Sequence, residues 1–164
     1  MEPKGLGLFS ETKYNNMKNS LIFFFDRDLN KLKGELKAYK REENIWKTSG
    51  EITNSAGTLA LHLIGNLNHY IGSEMGNTGY VRDRDAEFSK RNVSRNELLI
   101  EIDETRQVVA NSLLKFPEDW FDRKYPLEEF GYPMTYEYFM VHLVSHINYH
   151  LGQVNYHRRL LDNE

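Results

Sequence analysis

Cysteine is absent from the 164-residue chain. That excludes disulfides, thiolate metal sites and a cysteine nucleophile, and it leaves only nitrogen and oxygen ligands for any metal. Long apolar runs are missing too. The longest, LIFFF from Leu21 to Phe25, falls far short of the roughly 20 residues needed to span a bilayer, so no membrane partner is expected. The opening MEPKGLGLFSETKY has neither the basic start nor the apolar stretch of a secretion signal, and the expectation is a cytoplasmic protein. Nor is there a basic excess. The net charge is −3 and the pI near 6.1, with Lys and Arg interleaved with Asp and Glu. A domain that grips a phosphate backbone carries a basic patch or stripe, so nucleic acid is not an expected partner. No Ser-His-Asp order, phosphate loop or dinucleotide fingerprint is present, and Gly76 and Gly79 read as turn residues.

The composition that remains, 40% hydrophobic and 27% charged, is that of a globular chain rather than a disordered one. Residues 1–164 read as a single domain with no boundary, repeat or low-complexity tract. Apolar periodicity divides the chain into four helical segments. The first runs from about Asn15 to Arg41, with Met17, Leu21, Phe24, Phe25, Leu29, Leu32 and Leu36 on one face. The second starts at the N-cap Ser55 and carries Leu59, Leu63, Leu67 and Tyr70 to about Met75. The third opens with Ser94-Arg95-Asn96-Glu97, a capping box, and buries Leu98, Ile102, Val109 and Leu113 before Pro117. The fourth follows Pro133, uses Thr135 as N-cap and continues through Phe139, Leu143, Ile147, Leu151 and Val154 to about Leu161. With no strand pattern between them, these segments predict an all-α fold, a four-helix bundle. Two long loops, residues 77–93 and 116–133, are long enough to cross or cap the bundle, and such loops often carry function.

The histidines lie in two short stretches: His62 and His69 in LHLIGNLNHY, and His142, His146, His150 and His157 in HLVSHINYHLGQVNYH. His146 and His150, spaced i, i+4, sit about 40° apart around a helix axis and can aim at one ion. Two ligands hold a metal weakly, and His62, on the apolar face of the second segment with Leu59, is the best third. Three imidazoles leave a coordination position open for water or substrate, as catalytic sites do, and they suit Zn, Ni, Fe or Cu. His142, one turn before His146, reads as a ligand, as a residue orienting one, or as a rim residue. His69 lies about 10 Å along the axis from His62, too far to share one ion easily, and His157 has the same difficulty from His150. Packed or structural histidines are the alternative reading of all six.

His146-x-x-x-His150-x-Gly152-Gln153 in the fourth segment, with His62 in the second, resembles the DinB/YfiT superfamily of metal-dependent enzymes. Helix order and ligand placement extend the similarity over nearly the whole chain, and HINYHLGQ is its specific part. GTLALHLIGNLNHYIG followed by GNTGYVRDRDAEF resembles one uncharacterised branch. The resemblance implies a four-helix bundle, a divalent metal (Zn, Ni or Fe) held by His62, His146 and His150, and hydrolase or thiol S-transferase chemistry on a small molecule such as a low-molecular-weight thiol. His69, His142 and His157 are not part of the general pattern.

Around that site, Gln153 and Asn66, each one turn beyond a histidine, are candidates to orient a ligand or a bound water; both also suit a plain polar surface position. In GYVRDRDAEF, Arg82 and Arg84 alternate with Asp83 and Asp85, the pattern of a solvated, self-paired loop. The alternative is that Arg82 or Arg84 reaches the metal face and binds an anionic substrate, with Tyr70 and Tyr80 lining the same entrance. No Glu adjoins the histidines as a general base does in HExxH, and Glu74, Asp83, Asp85 and Glu87 are unplaced candidates. A non-catalytic metal- or ligand-binding protein associated with stress is the competing function, and a homodimer through bundle faces suits the fold.

Overall fold

The computed structural model describes residues 16–163. Among them there is no β-strand, only the isolated bridges Ser49–Ile52 and Lys124–Thr135. Five α-helices are present: α1 (Met17–Lys37), α2 (Ala56–Leu67), α3 (Arg84–Ser89), α4 (Arg95–Lys115) and α5 (Tyr136–Leu161). The fold is all-helical. No described helix is long and apolar enough to cross a membrane.

Side-chain caps set the starts of the helices. Asn16, Ser55, Ser94 and Thr135 each accept a hydrogen bond from a first-turn backbone N–H, satisfying donors that a helix start leaves free. At α4 the capping box is complete, with the Glu97 side chain accepting the Ser94 N–H in return at 2.9 Å. Ser94→Ala should therefore cost about 1 kcal/mol in urea unfolding; an unchanged midpoint would show that the cap contributes nothing here.

Buried side chains recur every three or four residues. Leu21, Phe25, Leu29, Leu32 and Leu36 line α1, Leu98, Ile102, Val109 and Leu113 line α4, and Phe139, Leu143, Ile147 and Val154 line α5. Every residue of α2 is buried, as an apolar helix surrounded by neighbours must be. Helix α1 packs on α4 and α5, and α2 packs on the same two.

Three features depart from the expected boundaries. Helix α1 stops at Lys37 rather than Arg41, because the Asp162 carboxylate at the far end of the chain accepts the Lys40 and Arg41 N–H groups and the Asn44 amide. The proposed start at Asn15 lies outside the described residues. The second segment is not one regular helix: after Leu67 it becomes a π-helical turn, Asn68–Ser73, where the Asn68 side chain donates to the Ile64 carbonyl and to Thr105 on α4. A side chain inserted into the helical ladder is a recognised cause of such irregularity. The loop after it contains α3, which apolar periodicity missed; Asp83 caps it by accepting the Ala86 N–H at 2.9 Å. The second long loop is pinned by Tyr125, fully buried, whose hydroxyl donates to the Tyr70 carbonyl at 2.9 Å while its ring lies against Phe139.

Candidate metal centre

Helices α2 and α5 pack side by side, and His62 on one meets His146 and His150 on the other. The His146 Nε2 lies 3.2 Å from His62 Nε2 and 3.1 Å from His150 Nε2. One ligand atom from each of the three falls within 4.8 Å of the others, close enough to bind one metal ion. Nitrogens about 2.0–2.1 Å from a tetrahedral ion stand about 3.3–3.4 Å apart, near the two distances seen.

The partners of the far ring nitrogens decide which way the lone pairs face. The Glu87 carboxylate can only accept, so the contact of His62 Nδ1 with its Oε2 at 3.0 Å puts the proton on Nδ1 and a lone pair on Nε2. His150 follows the same logic, its Nδ1 donating to the Gln153 side-chain oxygen at 2.7 Å. Two lone pairs thus face His146 Nε2, which can donate a proton to only one of them. A cation satisfies all three at once, with the tautomers that metal-bound histidines take. His146 Nδ1 is buried without a partner, and its ring is held instead by packing against His142 and His150.

Electrostatics agree with neutral rings. Burial, and then the neighbouring His150 and His62, pushes His146 down to about 3. Burial also lowers His142, His150 and His157. The folded values lie below the unfolded value of 6.5, so below it the unfolded chain binds more protons than the folded one. Stability of the metal-free protein is then full above that pH and declines as pH falls through the window beneath it. Urea midpoints measured from about pH 7 to about pH 5 should drop steadily, and a flat profile would count against neutral buried rings.

Glu87, 6% exposed, is one of the four acidic residues that sequence reasoning left unplaced. Its oxygens accept from Arg82 Nε at 2.7 Å and Nη2 at 2.9 Å as well as from His62. Burial opposes its charge, but the hydrogen bonds from His62 and Arg82 outweigh that and hold the carboxyl below the usual range. The self-paired loop is therefore corrected. Arg82 pairs with Glu87 rather than with Asp83 or Asp85, and Asp83 is occupied as the α3 cap. The only sequence signal was Asp83 followed by acidic Asp85 and Glu87, the pattern of a helix start. Gly65 on α2 makes room for this arrangement, since a Cβ there would overlap the Glu87 carboxylate.

The other expected residues divide. Gln153 sits against His150 as described, and Gln153→Leu should weaken metal binding by up to about tenfold, read by competition with a chromophoric chelator; unchanged affinity would make the contact incidental. Asn66 is buried, and its side-chain oxygen has no partner. His142 is stacked on Phe139 and lies outside the three-nitrogen group. His69 is not brought to the group; its ring lies against Tyr70 on the π turn. His157 is buried between the Tyr39 hydroxyl at 2.7 Å and the Lys47 carbonyl at 2.8 Å, a structural position.

A cavity of about 380 Å³ opens onto His62 and His146. Asn66, Tyr70, Arg82, Arg84 and His142 line it, as do Glu129 and Phe130 of the second long loop. Burial and then Glu129 push the Tyr70 phenol up to about 12. Tyr80 lines a different cavity, beside Leu61 and Glu101. Residues 16–164 match a family model described as "Protein of unknown function (DUF1572)". No curated protein matches the chain.

Proposed function

The chain belongs to the DUF1572 family, and from its site we propose a metalloenzyme of the DinB/YfiT type, a four-helix bundle that uses His62, His146 and His150 to hold a divalent Zn, Ni or Fe. The observation that carries this reading is the agreement of the tautomers: Glu87 and Gln153 fix two Nε2 lone pairs on the point that His146 Nε2 also faces. Such an ion lowers the pKa of bound water from 15.7 to about 7 and activates a thiol in the same way. The chain supplies the rest. His62 and His146 form one wall of the cavity, so a substrate seated there lies beside the ligands. Arg82, Arg84 and Tyr70 offer donors along that cavity, and Phe130 and Phe139 an apolar wall.

Both oxygens of Glu87 are engaged by His62 and Arg82, which makes it a positioning residue rather than a free base. That favours attack by an already acidic nucleophile, a thiol S-transferase, over a hydrolase that needs a carboxylate base. Among the described residues no carboxylate other than that of Glu87 is bonded to the three histidines, which also supports a second reading, a metal- or ligand-binding protein without turnover. The proposal includes a cytoplasmic protein with a small-molecule substrate, no nucleic-acid partner given the net charge of −3, and a homodimer.

The test is elemental analysis of untagged protein purified without metal columns or chelators. Assays of the loaded protein would follow, with low-molecular-weight thiols against electrophiles and with ester and amide substrates. Near-stoichiometric metal with thiol transfer supports the enzyme. Metal without turnover in either screen supports the binding protein, and protein that neither carries nor takes up metal ends both readings.

A further inference from the structure

Helix α5 buries one side and leaves another bare. Tyr138, Val141, Tyr149, Tyr156 and Leu160 are each more than half exposed, and the exposed Ser145 and Gly152 lie among them. At about 100° per residue these positions share a strip about 100° wide and about 33 Å long, on the side away from Leu143, Ile147 and Val154. None of the seven is charged, in a chain of which 27% is. Tyr132, whose hydroxyl is 3.0 Å from that of Tyr138, widens one end. A continuous strip of aromatic and apolar side chains marks an interface rather than ordinary surface.

The spacing says what kind of partner fits. It is nearly the same in both directions from Tyr149: Tyr138 and Leu160 lie eleven residues to either side, Val141 eight before and Tyr156 seven after, Ser145 four before and Gly152 three after. A second α5 laid antiparallel across a two-fold axis at Tyr149 therefore sets Ser145 against Gly152, Val141 against Tyr156 and Tyr138 against Leu160. Small residues then meet beside the axis, where a Cβ added at Gly152 touches nothing within 4 Å. Charge agrees with that orientation. The exposed Glu137 and Arg159 stand along one edge of the strip at opposite ends of α5, so each Glu137 falls within a turn of the partner's Arg159, twice per dimer. A parallel pair would set like charges together. Tyrosine presents about 150–250 Å², so the exposed parts of the three tyrosines, Val141 and Leu160 come to about 500 Å² per copy. About 1,000 Å² for the pair is the lower edge of a specific interface, which suits a reversible dimer of roughly micromolar affinity.

We propose that the outer strip of α5 is the homodimer interface, formed with a second copy of the chain in antiparallel register about Tyr149. This rests on the homodimer of the proposed function and gives it a face; it does not depend on the metal.

Sedimentation of the full chain from about 1 to about 200 µM reads the equilibrium, with circular dichroism to show that each variant is folded. Wild type should pass from monomer to dimer in that range. Tyr149→Glu places two carboxylates at the axis and Gly152→Glu fills the closest approach, and each should weaken the dimer by about thirtyfold or more. Gly152→Glu keeps the test sound, because its site is open in the monomer and glycine is the poorer helix former. Leu114→Glu, exposed on α4, should change nothing. Glu137→Arg and Arg159→Glu should each weaken the dimer by about threefold to tenfold, and the double reversal should restore it. The two residues are about 33 Å apart in one chain, so only an antiparallel second copy gives that restoration. Protein that stays monomeric throughout overturns the inference and the homodimer together, and leaves the strip to a different partner. A dimer indifferent to Tyr149→Glu and Gly152→Glu, or a double reversal weaker than either single one, overturns this interface alone and keeps the homodimer.

Discussion

Replacing His146 with alanine is expected to abolish metal retention while leaving the fold intact. His146 is the middle member of the group, its Nε2 3.2 Å from that of His62 and 3.1 Å from that of His150. Without it, one histidine on α2 and one on α5 face each other across the gap. Structural zinc sites bind with about 10–16 kcal/mol, so the loss of one nitrogen among three or four ligands should cost about 3–5 kcal/mol, roughly three orders of magnitude in affinity. The fold should survive because the ring is half-buried and contributes no apolar packing to the core, and because its Nδ1 has no partner to lose. Dialysed variant and wild type would be compared by elemental analysis, with thermal unfolding in both metal-free and metal-loaded states. The wild type should gain stability from added metal, as any ligand specific for the native state confers, and the variant should not. Full metal content in the variant would remove His146 from the site.

Glu87→Ala has the other large effect, and it acts on stability and metal together. Glu87 is the one acceptor for two donors on different elements, Arg82 in the loop and His62 on α2. Deleting it strands the Arg82 guanidinium, whose side chain is 11% exposed, and frees the His62 ring to change tautomer. Breaking a buried ion pair by removing one partner costs about 3–5 kcal/mol, and losing the carboxylate that orients a metal-binding histidine costs about 10–100-fold in affinity. Glu87→Gln keeps an acceptor for His62 but loses the charge, so it should fall between the two. Gly65→Ala tests the same contact from the α2 side. The added Cβ collides with the Glu87 carboxylate, which cannot swing aside while Arg82 and His62 hold it, so metal affinity should fall although alanine is the better helix former. Urea midpoints and chelator competition on the three variants would decide. If Gly65→Ala raises stability and leaves metal affinity alone, the carboxylate is not fixed in place.

What was legible in the sequence was local. The caps Ser55, Ser94 and Thr135 and the apolar steps of α1, α4 and α5 are set by residues within a turn or two of each other, and the i, i+4 pair His146 and His150 is likewise a property of one helix. His62 was legible because a histidine among apolar residues of a helix must face the interior. The sequence by itself determined the amphipathic helices α1, α4 and α5, the apolar α2 and the histidines they carry. Only the tertiary structure decided the rest, since each remaining feature joins residues far apart in the chain. Asp162 ends α1 by closing onto Lys40 and Arg41. Asn68 finds Thr105 on α4 and so accompanies the π turn. A loop that alternates Arg and Asp folds so that Glu87, not its nearest aspartates, meets Arg82 and His62. Period and capping are read from neighbours in sequence; which carboxylate reaches which histidine depends on how α3 lies against α2, and that is settled only when the helices pack.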